Sequence, residues 1–465
     1  MNKVQTYNSP DEFMFLEFEI HSSIFHKINQ NDYFMISSGT NQFPLPKLWK
    51  KTLYQEINSD YLYRWYTSAA GFQTSTRSLK IYEDYLAGNG SFFSKKMNND
   101  ICMTIGGSGA ASLTFDYLKK IYSKCEIVLV GMNYSLYERL SKKNEFNVIE
   151  LSSAENIYTL PDLSDFMQLP SSASKRIFVF SNPNNPLGRT YDRICFLQII
   201  KYIHNNNGFV ILDQVCDLVI SQKKYMYLEN IITEYIGWKD AVIINSFSKT
   251  DSTAGLRIGY IYGDKELINI VNSIQADSIM NPPTFPVFSI LLTCMFRCIY
   301  LNKNNINYQY KEEKIIKLFE NIFYYTGAII PKKMKIYAKK VFGNYRLYYD
   351  NYIQELLNNE KKIYMNYYMT LNFLKPYILC YSELQGGFNF CVWFKKKFKI
   401  TELELTQLLI KNTGVAILSE SSFTTKPQNN NRYFIRFSTA CDVIEYKNAL
   451  IRLCHYIEKG EIFDD

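Results

Sequence analysis

The feature that most constrains the fold is a repeated order of short apolar run, polar or glycine-rich turn, and helical pattern. The apolar runs have the length and composition of buried strands, and they lie at residues 101–105, 126–130, 177–180, 209–212 and 241–244. Strands that alternate with helices form an open, mainly parallel sheet, in which ligands bind outside the carboxyl ends of the strands. The sequence therefore predicts an α/β fold with a site along that edge.

The most informative turn follows the run at residues 241–244. It contains Ser246, Ser248 and Lys249, and Arg257 follows eight positions after the lysine. A lysine amine can form an imine with an aldehyde, and does so best when it is partly desolvated. Nearby hydroxyls and an arginine suit a phosphate dianion. A small molecule that carries both an aldehyde and a phosphate is pyridoxal 5'-phosphate (PLP). Taken alone, this segment could instead be an exposed loop that happens to contain a lysine.

Length and charge exclude several other classes of protein. A chain of 465 residues with 47% hydrophobic content has room for two or three domains. Its formal net charge of +8 comes from 52 basic and 44 acidic residues without a long basic block. This favours anionic small molecules and predicts no nucleic-acid partner. The longest apolar run, residues 287–296, is too short to span a bilayer, so no membrane association is expected.

The cysteines indicate a reducing compartment. All ten are scattered singly, and no Cys-x-x-Cys pair occurs. Neither a zinc site nor a disulfide framework is therefore expected, and no metal site is predicted. The first residues lack an apolar signal core, so we expect a cytoplasmic protein.

The lysine turn also matches the pattern of a known family. Residues 246–257 fit Ser-x-Ser-Lys-x-x-x-x-x-Gly-x-Arg, and here the chain resembles the class I/II aminotransferases, which are fold-type-I PLP-dependent enzymes. The resemblance implies a large domain with a mainly parallel sheet flanked by helices, plus a smaller α/β domain. It also implies that Lys249 holds PLP as a Schiff base, with Ser246, Ser248 and Arg257 on the phosphate.

Two further turns resemble the family's phosphate cup and ring-stacking position. The run at 101–105 leads into Gly107, Ser108 and Gly109, and a glycine-rich turn at a helix start presents free N–H groups to a phosphate. The run at 126–130 leads to Tyr134, which by resemblance stacks on the pyridine ring.

The next two strand ends supply contacts to the ring atoms. The doubled Asn-Pro turn after residues 177–180 resembles the family motif in which Asn185 donates to the phenolic oxygen and also contacts substrate. Asp213 ends the following run, and an aspartate there can pair with the protonated pyridine nitrogen. Cys216 stands where the family has a tyrosine that donates to the phenolic oxygen. Loss of that donor is expected to alter the cofactor's titration.

Three residues from outside the strand ends complete the predicted site. Gly39 resembles the entry-loop glycine that lies against the substrate carboxylate, although Asn41 and Gln42 replace the family's proline and aspartate. Arg436 lies in an apolar strand, where an arginine needs an anionic partner, and is expected to bind the α-carboxylate. Tyr66 resembles the tyrosine that reaches the partner subunit's phosphate, which implies a homodimer.

Four segments follow from these matches. We expect an N-terminal arm with part of the small domain at residues 1–55 and a large PLP-binding domain at 56–299. Residues 300–345 match the family poorly and predict an inserted helical segment, which either covers the site or widens the dimer contact. Residues 346–465 are expected to form the small C-terminal domain.

The function implied by the resemblance is transamination between an amino acid and a 2-oxo acid, with Lys249 as general base and Asp213 sustaining the electron sink. One alternative is a non-transaminating PLP enzyme of a specialised biosynthetic pathway, which catalyses elimination, decarboxylation or oxidation. Cys216 and the insert favour it. A non-catalytic PLP-binding regulator would need an N-terminal helix-turn-helix, for which the stretch before Ile36 offers no room.

Overall fold

A seven-stranded mixed sheet forms the centre of the larger domain. The computed structural model describes residues 9–27, 33–61, 65–92, 98–154, 156–218, 228–305, 310–326, 330–395, 400–426 and 432–459. The strands of this sheet are β1 (Asn99–Ile105), β2 (Cys125–Val130), β3 (Asn147–Leu151), β4 (Lys175–Ser181), β5 (Phe209–Asp213), β6 (Ala241–Ser246) and β7 (Ile258–Asp264). Their spatial order is β1-β7-β6-β5-β4-β2-β3, and β7 is antiparallel to both of its neighbours. The predicted α/β class and mainly parallel sheet are confirmed.

A three-stranded antiparallel sheet forms the centre of the smaller domain. Its strands are β8 (Ile378–Tyr381), β9 (Asn389–Lys395) and β10 (Arg432–Ser438), in the order β10-β9-β8. The α-helices of the described residues are α1 (Pro10–Phe25), α2 (Lys47–Asn58), α3 (Gln73–Ala87), α4 (Gly106–Ile121), α5 (Leu136–Lys143), α6 (Leu163–Met167), α7 (Arg193–Asn205), α8 (Leu228–Tyr235), α9 (Phe247–Thr250), α10 (Lys265–Ile279), α11 (Phe288–Lys303), α12 (Glu312–Tyr325), α13 (Lys332–Gly343), α14 (Tyr345–Leu374), α15 (Glu402–Thr413) and α16 (Val443–Glu458).

Local sequence sets several of these boundaries. The hydroxyl of Thr401 accepts from the N–H of Glu404, whose carboxylate accepts from the N–H of Thr401, and this capping box starts α15. The same helix ends at Gly414, whose φ of 75° is left-handed and suits glycine. The central strands β5 and β6 are buried along nearly their whole length, as their continuous apolar sequence predicts for parallel strands covered on both faces.

The long helix α14 belongs to both hydrophobic cores. Its first half packs into the core of the large domain through Tyr352 and Leu356, and its second half packs into the core of the small domain through Ile363 and Tyr367. Helices α12 and α13 pack into the large-domain core, where Phe319, Ile322, Met334 and Val341 are buried. The predicted N-terminal arm includes residues 1–8, and the predicted insert includes residues 306–309 and 327–329, all of which lie outside the described residues.

Helix α1 contacts both domains. Oε1 of Glu17 accepts from the hydroxyls of Thr406 and Ser419 at 2.7 Å in the small domain. In the first turn of the helix, Oδ2 of Asp11 lies 3.2 Å from Nη1 of Arg139 on α5. Helix α1 therefore bridges the two domains.

Two local features border the site. Helix α4 starts at Gly106, so the glycine turn is itself the first turn of the helix. Within the described part of the chain, residues 414–423 contribute no named strand to either sheet, and Val415 makes an isolated parallel bridge with Phe34. No helix within the described ranges combines the length and apolar character needed to cross a membrane.

Candidate active site

The predicted site residues collect along one edge of the large sheet. The parallel strands place their carboxyl ends there, so the residues after β1, β2, β4, β5 and β6 meet. Strand β7 runs the other way, and its amino end therefore brings Arg257 to the same edge. The carbonyl of Arg257 accepts from the N–H of Gly106 at 2.9 Å, which joins this turn to the start of α4.

Lys249 lies in the four-residue helix α9 at the end of β6. The Oγ of Ser246 caps this helix by accepting from the N–H of Ser248 at 3.3 Å. Nδ2 of Asn41 donates to the carbonyl of Lys249 at 2.7 Å. Burial lowers the pKa of the Lys249 amine, and the charges of Arg436 and Arg257 lower it further. A lysine in these surroundings is more readily neutral and nucleophilic than one in water.

Asp213 is held in place by two donors. Oδ2 accepts from the phenol of Tyr137 at 2.6 Å, and Oδ1 accepts from the N–H of Val215 at 2.9 Å. Burial raises the pKa of Asp213, while these two hydrogen bonds lower it. A carboxylate has about four lone-pair positions, so two bonds leave capacity for a further donor such as a pyridinium N–H.

The start of α4 has the form of a phosphate cup. Helix α4 has no side-chain cap, and the N–H groups of its first turn, including those of Gly107 and Ser108, have no partner within the helix. A Cβ on Gly106 would lie 2.7 Å from Nη2 of Arg257, so the guanidinium packs directly on this turn. A helix N-terminus beside an arginine is suited to a phosphate.

Close packing also explains Gly259, which lies on β7 beside this turn. A Cβ on Gly259 would lie 2.3 Å from the carbonyl carbon of Gly106, because β7 passes directly beside the cup. The Oγ of Ser246 lies 3.8 Å from the position of a Cβ on Gly107, so the serine of the lysine turn also borders the cup. Ser248 is buried, whereas Ser108 is exposed at the mouth.

Arg436 is a buried cation held by neutral groups. Its Nη1 donates to Oδ1 of Asn185 at 3.0 Å and its Nη2 donates to the carbonyl of Ser37, while its Nε has no partner. No carboxylate of the described residues lies within ion-pair distance of it, and only 3% of the side chain is exposed. Burial lowers its pKa to about 10. Such a guanidinium is complementary to a carboxylate ligand.

Gly39 lies against this guanidinium. Its φ is +64°, and a Cβ there would lie 2.9 Å from Nη2 of Arg436. The N–H of Gly39 donates to Oγ of Ser438 at 2.9 Å, which fixes the loop to β10. Asn185 also accepts from Nδ2 of Asn389 at 3.3 Å, so its amide nitrogen remains as a donor toward the site.

Two predicted aromatic residues differ in their setting. Tyr134 lies near both arginines, Arg436 and Arg257, although burial is the main cause of its raised pKa. Tyr66 is 84% exposed and lines an open cavity of about 500 Å³ beside Ile105, so it does not close over the site of its own chain. Exposure of a large aromatic side chain is what a role in another subunit would require.

Cys216 lies in the segment that follows Asp213 at the end of β5. Burial raises its pKa to about 12, the charge of Asp213 raises it too, and that of Lys249 opposes both. The thiol is therefore protonated at neutral pH. A Cβ on Gly387 would lie 3.7 Å from the Cβ of Cys216, so the small domain closes over this position.

Several partners of the site residues were not assigned a role from the sequence. They are Tyr137 on Asp213, Asn41 on the carbonyl of Lys249, Ser37 on Arg436, Ser438 on Gly39, and Asn389 on Asn185. Tyr137 follows Tyr134 by three positions on the start of α5. That spacing was the available signal, but 38 tyrosines in the chain leave it unspecific.

The assembled donor set fits PLP. Lys249, Arg257 and Arg436 form no ion pair with a carboxylate of the described residues, and Asp213 is the acidic group of the set. A phosphate dianion and a substrate carboxylate would balance this excess positive charge. An amine, an uncapped helix start and a carboxylate, which suit an aldehyde, a phosphate and a ring nitrogen, are thus present together.

Comparison with known proteins agrees with this geometry. A family model described as aminotransferase class I and II matches residues 32–453. An aspartate aminotransferase from Sulfolobus acidocaldarius is 25% identical over 46% of this chain and 54% of its own length. Human kynurenine–oxoglutarate transaminase 1 is 21% identical over 55% of this chain and 61% of its own length. The chain thus spans a little over half the length of these two curated relatives.

Solved structures show the same fold over the whole chain. An aminotransferase from Mycobacterium tuberculosis superimposes with a TM-score of 0.70 and 17% identity, over 99% of this chain and 100% of that one. An aspartate aminotransferase from Thermotoga maritima gives a TM-score of 0.66 and 17% identity, over 97% of this chain and 98% of that one. The expected fold type is therefore confirmed.

Proposed function

We propose that this chain, which belongs to the class I and II aminotransferase family, is a PLP-dependent aminotransferase that moves the amino group of an amino acid to a 2-oxo acid. The observation that carries the proposal is the grouping of Lys249 with Arg257 and Arg436 at the sheet edge where Asp213 ends the neighbouring strand β5, with no carboxylate paired to any of the three cations among the described residues. This set matches an aldehyde, a phosphate, a carboxylate and a ring nitrogen.

PLP, when bound, supplies an aldehyde that condenses with amines and a ring that withdraws electrons from the α-carbon. In the proposed reaction Arg436 holds the α-carboxylate through its guanidinium fork, and Gly39 leaves room for that fork. The amine of Lys249, whose pKa burial lowers, takes the α-proton at Nζ. The carboxylate of Asp213, held by the phenol of Tyr137 and the N–H of Val215, would pair with the protonated ring nitrogen.

The remaining predicted residues receive roles in the same proposal. Gly107, Ser108 and Gly109 offer their N–H groups to the phosphate, and Arg257 with the hydroxyls of Ser246 and Ser248 surrounds it. Tyr134 packs on the ring, and the amide nitrogen of Asn185 donates to its phenolic oxygen.

We also propose a cytoplasmic homodimer that acts in amino acid biosynthesis. Tyr66 would reach the phosphate of the partner subunit, and its 84% exposure in the single chain supports that role. All ten cysteines are free, which suits a reducing compartment.

The test of the proposed function begins with the covalent link. Protein incubated with PLP and then treated with borohydride should carry the cofactor on Lys249, and Lys249→Ala should carry none. Lys265→Ala removes an exposed lysine from the start of α10 and should label like the wild type. Labelling that persists in Lys249→Ala would contradict the assignment.

The reaction type is tested by its products. The unreduced protein, mixed with each amino acid in turn, should yield pyridoxamine 5'-phosphate and a 2-oxo acid in equal amounts for at least one of them. A second 2-oxo acid should then restore the original absorbance. Release of ammonia, carbon dioxide or peroxide in place of these products would contradict transamination.

A further inference from the structure

A buried carboxylate lies directly behind the lysine turn. Asp251 follows Lys249 by two residues and is fully buried. Its Oδ1 accepts from the phenol of Tyr352 at 2.6 Å and from Nε1 of Trp49 at 3.2 Å. Its Oδ2 accepts from the hydroxyl of Thr250 at 2.7 Å. The carboxylate thus ties the end of α9 to α2 and α14.

Arg297 on α11 completes this arrangement. Its Nη2 forms an ion pair with Oδ2 of Asp251, and both side chains are buried. The guanidinium also lies over the ring of Phe247, 5.3 Å from its centroid, and the ring of Trp49 lies 5.5 Å from that of Phe247. Phe247 starts α9, so α9 is held at its first residue and just beyond its last.

The contacts of this network connect the lysine to the smaller domain. Tyr352 lies on α14, which continues into the core of the small domain through Ile363 and Tyr367. Trp49 lies on α2, shortly after Asn41, whose amide donates to the carbonyl of Lys249. The lysine turn is therefore fastened to α14, which continues into the small domain, and to α2, which follows the loop that contains Gly39 and Asn41.

We propose that Asp251 is a positioning residue, which with Arg297 and Tyr352 fixes the location of the Lys249 amine relative to the α-proton it removes. The inference rests on the proposed function. A buried ion pair is weak evidence for stability, because desolvation of the two charges offsets much of their attraction. Placement is a different matter, since a catalytic group displaced by about 1 Å can lose about 100-fold in rate.

The test uses a variant that removes a single hydroxyl. Tyr352→Phe deletes one of the four donors to Asp251 and leaves the Arg297 pair in place. Its matched control is Tyr446→Phe, which deletes a buried hydroxyl bonded at 2.8 Å to Thr370, also on α14 but away from the lysine. Both variants lose one buried hydrogen bond, so they should lower the midpoint of thermal unfolding by similar amounts.

The two variants should differ in catalysis. Tyr352→Phe should lower kcat by about 10-fold with the KM for the amino acid within about twofold, because a misplaced base affects the transition state more than binding. It should also slow attachment of PLP to the cofactor-free protein, followed by absorbance. Tyr446→Phe should leave both quantities at their wild-type values.

The outcomes separate this inference from the proposed function. If the wild type carries cofactor on Lys249 and transaminates, but kcat and the attachment rate are equal in the two variants, the positioning role is refuted and the function stands. If the wild type acquires no cofactor on Lys249, the function fails and the inference fails with it. Asp251→Asn weakens the interactions of the side chain with all four of its donors at once, and it should therefore show a larger loss of kcat than Tyr352→Phe.

Discussion

The phenol of Tyr137 donates a 2.6 Å hydrogen bond to Oδ2 of Asp213. Tyr137 is 1% exposed, so this bond is shielded from water and is stronger than a surface bond. It holds the carboxylate in one orientation and favours its ionised form, against the effect of burial, which raises the pKa of Asp213. The residue proposed to support the cofactor ring thus depends on a neighbour that lies 76 positions away in sequence.

Tyr137→Phe should make the enzyme less active on the acidic side of its pH profile. Loss of the hydrogen bond raises the pKa of Asp213 further, so the active carboxylate form is reached only at higher pH. The loss of kcat/KM at low pH should be up to about tenfold, equivalent to about 1.4 kcal/mol for a bond to a charged group. Tyr191→Phe removes a buried hydroxyl bonded to the carbonyl of Pro161 and should leave the profile in place.

Arg436→Lys should reduce the enzyme's discrimination in favour of a carboxylate. The ratio of kcat/KM for an amino acid to that for the amine lacking its carboxylate should fall by about 10- to 100-fold, since a charged fork is lost. Arg189→Lys is the control, because Arg189 pairs with Glu383 at the surface, at 2.8 Å. An unchanged ratio in Arg436→Lys would show that another group binds the carboxylate.

Cys216→Tyr should lower the pH at which the absorbance of the bound cofactor changes. The thiol has a pKa of about 12 through burial and is a weak donor, whereas a tyrosine donates well to the phenolic oxygen. The expected change corresponds to one hydrogen bond, about 1 kcal/mol. Cys216→Ser, which cannot reach as far, should titrate like the wild type. Superimposable curves for all three proteins would refute the idea.

Glu17 should make stability depend on pH. Burial raises its pKa to about 7 from an ordinary 4.5, so the folded chain binds a proton that the unfolded chain releases. Its favourable contribution is therefore complete below pH 4.5 and is lost as the pH rises through 7, a change of roughly 3 kcal/mol. Melting curves at pH 5 and pH 8 measure it.

Glu17→Gln is the matched variant for that measurement. Glutamine has the same shape and does not ionise, so the stability advantage of the wild type over Glu17→Gln should shrink between pH 5 and pH 8. A difference that is the same at both pH values would mean that Glu17 is already charged when the protein is folded. Helix α1 bridges the domains, so loss of the Glu17 proton should also loosen the contact between the domains.

Sequence reasoning located the residues that follow strands. Lys249, Asp213 and Asn185 could be assigned because an apolar run and a turn together specify a position at the sheet edge. Arg436 could be singled out because a charge inside an apolar strand needs a partner. Their catalytic and binding roles remain predictions.

The supporting contacts could not be assigned in this way. The Asp251–Arg297 pair joins residues 46 positions apart, and neither is a specified position of a recognisable pattern. The reversed direction of β7 also has no local signal, because an apolar strand reads the same in either orientation. Such features depend on how distant segments pack, which periodicity does not record.

The charges around Lys249 give the amine a basicity that varies with what the site contains. After burial, the cations that lower its pKa are Arg436 and Arg257, which are also the groups assigned to the carboxylate and the phosphate. An anion bound to either one cancels that influence and raises the proton affinity of the amine. In the proposed reaction the proton affinity of the Lys249 amine is therefore highest when both anionic groups are bound.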